Sequence, residues 1–273
     1  MYRVAVALIA TVFICLGGCA KIGLDKADLA RLKPDLKIGE AEVFSFAVLG
    51  EMYLSDARSA APVNRAVADM NKRGDVAFVV ALGNVAADGQ YKEVNLLKSA
   101  FSKFEGGQYA VPGPTDRDPS KADPYATFEG LLGESPWLHE RNGWALMGLS
   151  AVAAEGGAAV PAEELDWVAA QLKRFGKDRP IALFIHAPLQ ADLAEYRLAN
   201  ADAVLAAFEG RPLRLVVSGA YRGEAISESG ETIFVSTAGI SLAEPNRDGS
   251  GLGYRLFHVD KGTVTQEWVP ISG

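Results

Sequence analysis

Residues 76–89 read VAFVVALGNVAADG: seven apolar residues, Val76–Leu82, run into a loop of small and polar ones, Gly83 to Gly89. A short, valine-rich apolar run closed by a turn signal reads as a strand buried on both faces, the kind found in sheets covered by helices. The same pattern recurs outward along the chain. Upstream, Val43–Leu49 leads into Gly50-Glu51-Met52-Tyr53. Downstream, Gln108–Val111 leads toward Gly113-Pro114-Thr115-Asp116, Ile181–Ile185 into His186-Ala187-Pro188, and Leu213–Val217 into Ser218-Gly219-Ala220-Tyr221-Arg222-Gly223, with Trp144–Leu149 a further strand. Between them, apolar residues at helical spacing predict helices over Ala60–Lys72, Gln90–Phe104, Ala162–Phe175 and Ala191–Phe208. The third opens Pro161-Ala162-Glu163-Glu164, a proline and two acids at the positive end of the helix dipole. Thr232–Ser236, Tyr254–Val259 and Thr263–Val269 alternate apolar and polar residues, and Lys261-Gly262 reads as a hairpin turn, whereas Gly156–Ala159 reads as a surface loop. Strand–helix alternation followed by antiparallel strands predicts an α/β or α+β sandwich, in which ligands gather at loops beyond the strand ends.

Five such loops, in this order, resemble those of the calcineurin-like metallophosphoesterases, where they read GDxH, GDxxxxG, GNHD, HxP and GHxH. The resemblance covers roughly Val43 to Pro270. It implies a four-layer αββα sandwich, two mixed sheets flanked by helices. It also implies two divalent metals that clamp a phosphoryl group between attacking and leaving oxygens.

The ligand positions depart from that pattern. For the first metal the resemblance would use positions 51, 53, 84 and 222, which hold Glu51, Tyr53, Asn84 and Arg222. Glutamate can still coordinate, but a phenol stays protonated at neutral pH and a guanidinium has no lone pair to give. For the second metal, positions 84, 114, 186 and 220 hold Asn84, Pro114, His186 and Ala220. The bridging position is thus a neutral amide, and proline and alanine side chains donate nothing. Thr115 stands where a histidine would protonate the leaving group, and it cannot shuttle a proton near pH 7. His186 is unchanged, and Asp116 matches the aspartate that closes its motif. The expectation is a phosphoesterase fold that has lost its dinuclear site and needs no cofactor. The alternative is a single divalent ion such as Mn or Fe on Glu51, Asn84 and His186.

Two roles stand open for Arg222. It takes the metal's place and pairs with Glu51, or it binds a phosphate, sulfate or carboxylate together with His186 and Asn84. His186 is expected as a hydrogen-bonded histidine at the buried edge, with a single weak metal contact as the alternative. Asp116 and Asp88 read as turn residues. His258 reads as a strand residue and Trp167 as core. No Ser/His/Asp triad, Walker loop or dinucleotide turn is present.

The N-terminus carries Arg3, an apolar run from Val4 to Leu16, and then Leu16-Gly17-Gly18-Cys19. A charged start and an apolar stretch too short for a membrane span mark a secretory signal. The small residues before a cysteine resemble the lipobox of bacterial lipoproteins. Residues 1–18 are therefore expected to be cleaved and Cys19 acylated, against the alternative of an ordinary signal peptide with an incidental cysteine. Residues 19–41, polar and broken by Pro34, are expected as a tether, and residues 42–273 as the folded domain. The chain holds two cysteines, Cys15 and Cys19, so the domain has no thiol for disulfides or cysteine metal sites. Without the leader, 27 basic residues become 26 against 34 acidic ones, a balance of −8 that argues against nucleic acid as a partner.

These observations lead to an exported protein lipid-anchored to the cell envelope, at the outer membrane if the cell is Gram-negative. It is expected to act as a binding or assembly component rather than an enzyme, with an anionic small molecule or an envelope protein as partner. An active metal-dependent phosphoesterase with an altered centre is the competing expectation. An inert surface protein whose cleft is filled is the third.

Overall fold

A computed structural model describes residues 43–260 and 262–271. The expected leader, Cys19 and the expected tether lie outside the described residues. Two large sheets form the domain. In the first the order is β13-β12-β1-β2-β3, where β1 is Phe44–Leu49, β2 Val76–Leu82, β3 Gly107–Val111, β12 Gly253–Asp260 and β13 Thr263–Pro270. Strands β1, β2 and β3 run parallel, and the terminal hairpin adds antiparallel to β1. The second sheet has the order β10-β11-β9-β8-β5-β4, from Trp137–Arg141 (β4), Trp144–Gly148 (β5), Ile181–Phe184 (β8), Leu213–Ser218 (β9), Ala225–Ser229 (β10) and Thr232–Ser236 (β11). Its four central strands are parallel and its two edges antiparallel.

The pleat explains why the central strands look continuously apolar. In β1, Phe46 and Val48 face the second sheet, while Ala47 and Leu49 face helices. Phe46 stacks between Phe78 and Phe257 at 4.8 and 4.7 Å, and Phe184 from the other sheet meets it edge-on at 5.5 Å. That aromatic layer joins the sheets. Helices α1 (Ala61–Arg73), α2 (Tyr91–Phe101) and α3 (Ala126–Leu132) cover the first sheet. Helices α4 (Ala162–Leu172) and α5 (Ala201–Ala207) cover the second. The result is the expected sandwich of two mixed sheets flanked by helices.

Several elements correct the sequence-based expectations. The long helix predicted over Ala191–Phe208 is a 3-10 turn at Ala191–Leu193, a loop, and then α5. The loop is tied elsewhere: the Leu198 N–H donates to Pro188 O at 2.8 Å, and the Asn200 side chain bridges the backbone of Val160 at 3.0 and 2.8 Å. Those bonds outweigh the apolar periodicity. The predicted surface loop at Gly156–Ala159 contains β7 (Gly157–Ala159), which pairs with β6 (Val152–Ala154). Strands β4 and β10 and helix α3 are additional elements. His258 lies in β12 with its Nδ1 2.8 Å from Ser45 Oγ, as a strand residue should, and Trp167 is half-buried against the second helical core.

Candidate functional site

The loops after β1, β2, β3, β8 and β9 converge at one end of the sandwich. The Asn84 carbonyl accepts the N–H groups of both Met52 and Tyr53 at 3.0 Å, which locks the first loop onto the second. A Cβ on Gly83 (φ +79°) would come within 2.7 Å of Gly113 N, and one on Gly113 within 2.7 Å of Asn84 N, so only glycines let these loops approach. Among the described residues five non-glycine ones have positive φ, and four of them are Glu51 (52°), Tyr53 (47°), Asn84 (47°) and Arg222 (56°). Such a backbone is uncommon for side chains of this bulk and costs about 1–3 kcal/mol at each position. These four positions are the ones the family pattern assigns to its first metal. Three of them, Glu51, Tyr53 and Asn84, meet through their side chains, whereas Arg222 turns to Glu244.

The side chains satisfy one another. The Tyr53 hydroxyl donates to Glu51 Oε2 at 2.8 Å and accepts from Asn84 Nδ2 at 2.9 Å. Burial, reinforced by the Glu51 charge, pushes the Tyr53 phenol far above its ordinary pKa, so it stays a donor. Asn84 Nδ2 lies 3.4 Å from Glu51 Oε2, and its Oδ1 accepts the Thr115 N–H at 3.1 Å. The Thr115 hydroxyl is turned to Ala86 O at 2.7 Å. His186 Nδ1 lies 2.9 Å from Leu82 O and 3.3 Å from Glu51 Oε1. Both are acceptors, so Nδ1 carries the hydrogen and gives it to Leu82 O. The approach to Glu51 is then an electrostatic contact, and Glu51 Oε1 accepts no hydrogen bond. Glu51, Asn84 and His186 are 2%, 6% and 3% exposed, which seals the interior of the site from solvent.

Asp116 is fully buried and accepts the N–H groups of Ala86 on Oδ1 (2.9 Å) and Gly113 on Oδ2 (2.8 Å). It is a turn residue that ties the second loop to the third. Burial raises its pKa to about 7 against the pull of those donors.

The expected pair of Arg222 with Glu51 is not formed. The Arg222 guanidinium pairs with Glu244, while Glu51 is engaged by Tyr53, Asn84 and His186. The Glu51 carboxylate acts on Arg222 only at longer range. Glu244 lies on the segment before β12, which was not singled out in the sequence. Its Pro245-Asn246-Arg247-Asp248 is a recognisable turn signal, but nothing in it points to position 222. Of the other sequence candidates, Pro114 and Ala220 are half-buried and contribute hydrocarbon, and Asp88 lies beside α2, where its N–H bonds Glu93 Oε2 at 2.9 Å. A groove of about 760 Å³ opens alongside, lined by Asp88, Gln90, Arg117 and Asp118 among others, and of the residues above it shares Asp88 and Thr115.

No family profile and no curated protein matches this sequence. Solved structures do. The chain is similar to GAP50, the anchor in the inner membrane complex of Plasmodium, at 13% identity and TM-score 0.60, covering 84% of each chain. It is similar to the purple acid phosphatase PPD1 from yellow lupin seeds at 10% identity and TM-score 0.61, with 84% of this chain matched to 52% of that one. A putative 5'-nucleotidase from Staphylococcus aureus is similar at 12% identity and TM-score 0.50, with 84% matched to 54%. The chain thus spans about half the length of these two enzymes. At such identities the likeness is one of architecture, and by architecture the described domain has the metallophosphoesterase fold.

Proposed function

We propose that this chain is a lipid-anchored, non-catalytic binding or assembly component of the cell envelope, built on a metallophosphoesterase fold whose dinuclear metal site has been replaced by a protein network. The observation that carries this is the closed set of contacts around Glu51. Its Oε2 takes the Tyr53 hydroxyl and faces the Asn84 amide, and His186 stands beside its Oε1. A dinuclear centre needs several anionic or imidazole donors per ion and a bridging carboxylate. The positions here offer one carboxylate, one imidazole, one amide, a protonated phenol and a guanidinium. Among the described residues, no group of three His, Cys, Asp or Glu is placed to hold a metal ion. The residues do not fit the metals of the fold.

The similarity to GAP50, an anchor, supports an anchoring role by analogy of fold alone. Acylation of Cys19 would hold the domain at a membrane through residues 20–41. No described helix is long and apolar enough to cross one. With Glu51, Asn84 and His186 sealed inside, Arg222 and its neighbours form the accessible rim, and recognition is assigned there.

One observation favours a second reading, residual hydrolysis on a single metal: Glu51 lies within 3.3 Å of His186 and 3.4 Å of Asn84. Turnover of bis-(p-nitrophenyl) phosphate by chelator-free protein with added manganese separates the two. The expected rate equals that of buffer. Turnover that disappears in His186→Ala would establish the hydrolase instead.

A further inference from the structure

We propose that the rim around Arg222 docks an acidic peptide segment of a partner protein, and that Glu244 occupies the seat of the partner's carboxylate in its absence. This rests on the chain being a binding component and names the chemistry of what it binds.

The rim is built from Arg222, Arg247, Tyr196 and Tyr221, with Leu242 close in sequence to Glu244. The Arg247 guanidinium lies 4.6 Å from the centre of the Tyr196 ring, and Tyr196 meets Tyr221 edge-on at 5.4 Å. Stacking holds that guanidinium in place without using its N–H groups. Among the described residues Arg247 makes no ion pair, although its side chain is exposed. Arg222, whose side chain is 19% exposed, is met by Glu244, whose side chain is 47% exposed.

The surrounding backbone is pinned. Asn246 accepts the Gly239 N–H at 2.7 Å and donates to Gly239 O at 3.0 Å, and the Arg247 N–H donates to Arg222 O at 2.8 Å. Freeing Arg222 therefore requires only a swing of the Glu244 side chain. The other carboxylates nearby are Glu195, beside the Tyr196 hydroxyl, and Asp248, which is held by Ser250 and by the Glu224 N–H. With Glu244 turned away, the carboxylates left near the two guanidiniums are Glu195, Asp248, which is already held by its own hydrogen bonds, and at longer range Glu51.

Arginine and tyrosine are enriched where proteins bind proteins, and Leu242 is 49% exposed on the same segment. A single small anion would use the guanidiniums and the tyrosine that holds Arg247 but leave the exposed Leu242 without a role. A peptide with carboxylates and apolar side chains uses the guanidiniums and the leucine together, and the two arginines offer its carboxylates complementary charge.

The test is fluorescence anisotropy of a fluorescein-labelled peptide, (Leu-Glu-Glu)₃, against the full-length chain in neutral detergent. Binding is expected to weaken as salt rises, to fall about tenfold in Arg247→Glu, and to tighten about threefold to fivefold in Glu244→Gln as the internal competitor is removed. The lysine counterpart of the peptide should not bind. Unchanged affinity in Arg247→Glu, weaker binding in Glu244→Gln, or no binding at all would overturn the proposal. So would an Arg222-dependent rise in melting temperature with inorganic phosphate while the peptide fails to bind, which marks a small-anion site. Arg247-dependent binding to phosphatidylglycerol vesicles without peptide binding would likewise overturn it in favour of a lipid headgroup. A silent peptide with no phosphodiester turnover sinks this inference and leaves the non-catalytic reading intact, whereas metal-dependent turnover removes that reading itself.

Discussion

Asn84→Asp is expected to lower the unfolding free energy by about 2–4 kcal/mol at pH 8. In the wild type, Asn84 Nδ2 donates to Tyr53 Oη at 2.9 Å and lies 3.4 Å from Glu51 Oε2. Aspartate removes that donor and sets a second carboxylate oxygen against the first, in a place only a few per cent exposed. Two unit charges about 4 Å apart repel by about 4 kcal/mol at an effective dielectric constant of 20, so the pair holds a proton instead and the folded-state pKa of the new group rises. A carboxylate raised in the folded state costs stability above its unfolded pKa, and the cost shrinks as pH falls toward that value. Urea midpoints at pH 8 and pH 5 should therefore show a large deficit at the higher pH and a smaller one at the lower. Added manganese should not restore stability, because Arg222, Tyr53, Pro114 and Ala220 still deny it donors. Recovery with manganese would mean that the seat still accepts a cation.

Asp116→Ala is expected to cost about 2–5 kcal/mol, since it leaves the Ala86 and Gly113 N–H groups without their acceptor in a fully buried place. Asp116→Asn should recover less than half of that, because one of its atoms becomes a donor facing an N–H donor. The pH dependence has a definite sign. With the folded pKa raised from 3.8 to about 7, the native state binds more protons than the unfolded state in that window. The contribution of this group to stability therefore declines as pH rises from about 4 to about 7. That decline should be missing from the urea-unfolding profile of Asp116→Ala.

Much of the fold was legible because its central strands are buried on both faces. Val43–Leu49 and Val76–Leu82 lie close to β1 and β2 since both of their faces are covered and, apart from Ser45, which finds His258, their side chains are apolar. The edges were not legible. Trp137–Arg141 and Ala225–Ser229 pair on one side only, so Glu140, Arg141 and Glu228 can face water and the apolar signal fades. Ala191–Phe208 looked helical because its leucines and valine fall at helical spacing, yet loop hydrogen bonds through Leu198 and Asn200 hold the first half open.

The site divides in the same way. The five loops could be found because each follows an apolar strand end, four of them on strands buried along most of their length and the third on the edge strand β3. The partner of Arg222 could not, since Glu244 comes from a segment with no motif linking it to position 222. The engagement of Glu51 turned on a rotamer: the Tyr53 hydroxyl reaches the carboxylate at 2.8 Å and satisfies what Arg222 was expected to satisfy. Nor could the left-handed backbone at Glu51, Tyr53 and Arg222 be foreseen, because those residue types rarely adopt it.

The central claim is that a network of Glu51, Tyr53, Asn84 and His186 side chains stands where this fold otherwise holds two divalent ions. Elemental analysis of the full-length chain, purified without chelators and then equilibrated with manganese, iron and zinc, tests it most directly. Well under a tenth of an equivalent of any metal per chain is expected, with an unchanged melting temperature. Two equivalents bound per chain, released by Glu51→Ala or His186→Ala, would contradict it.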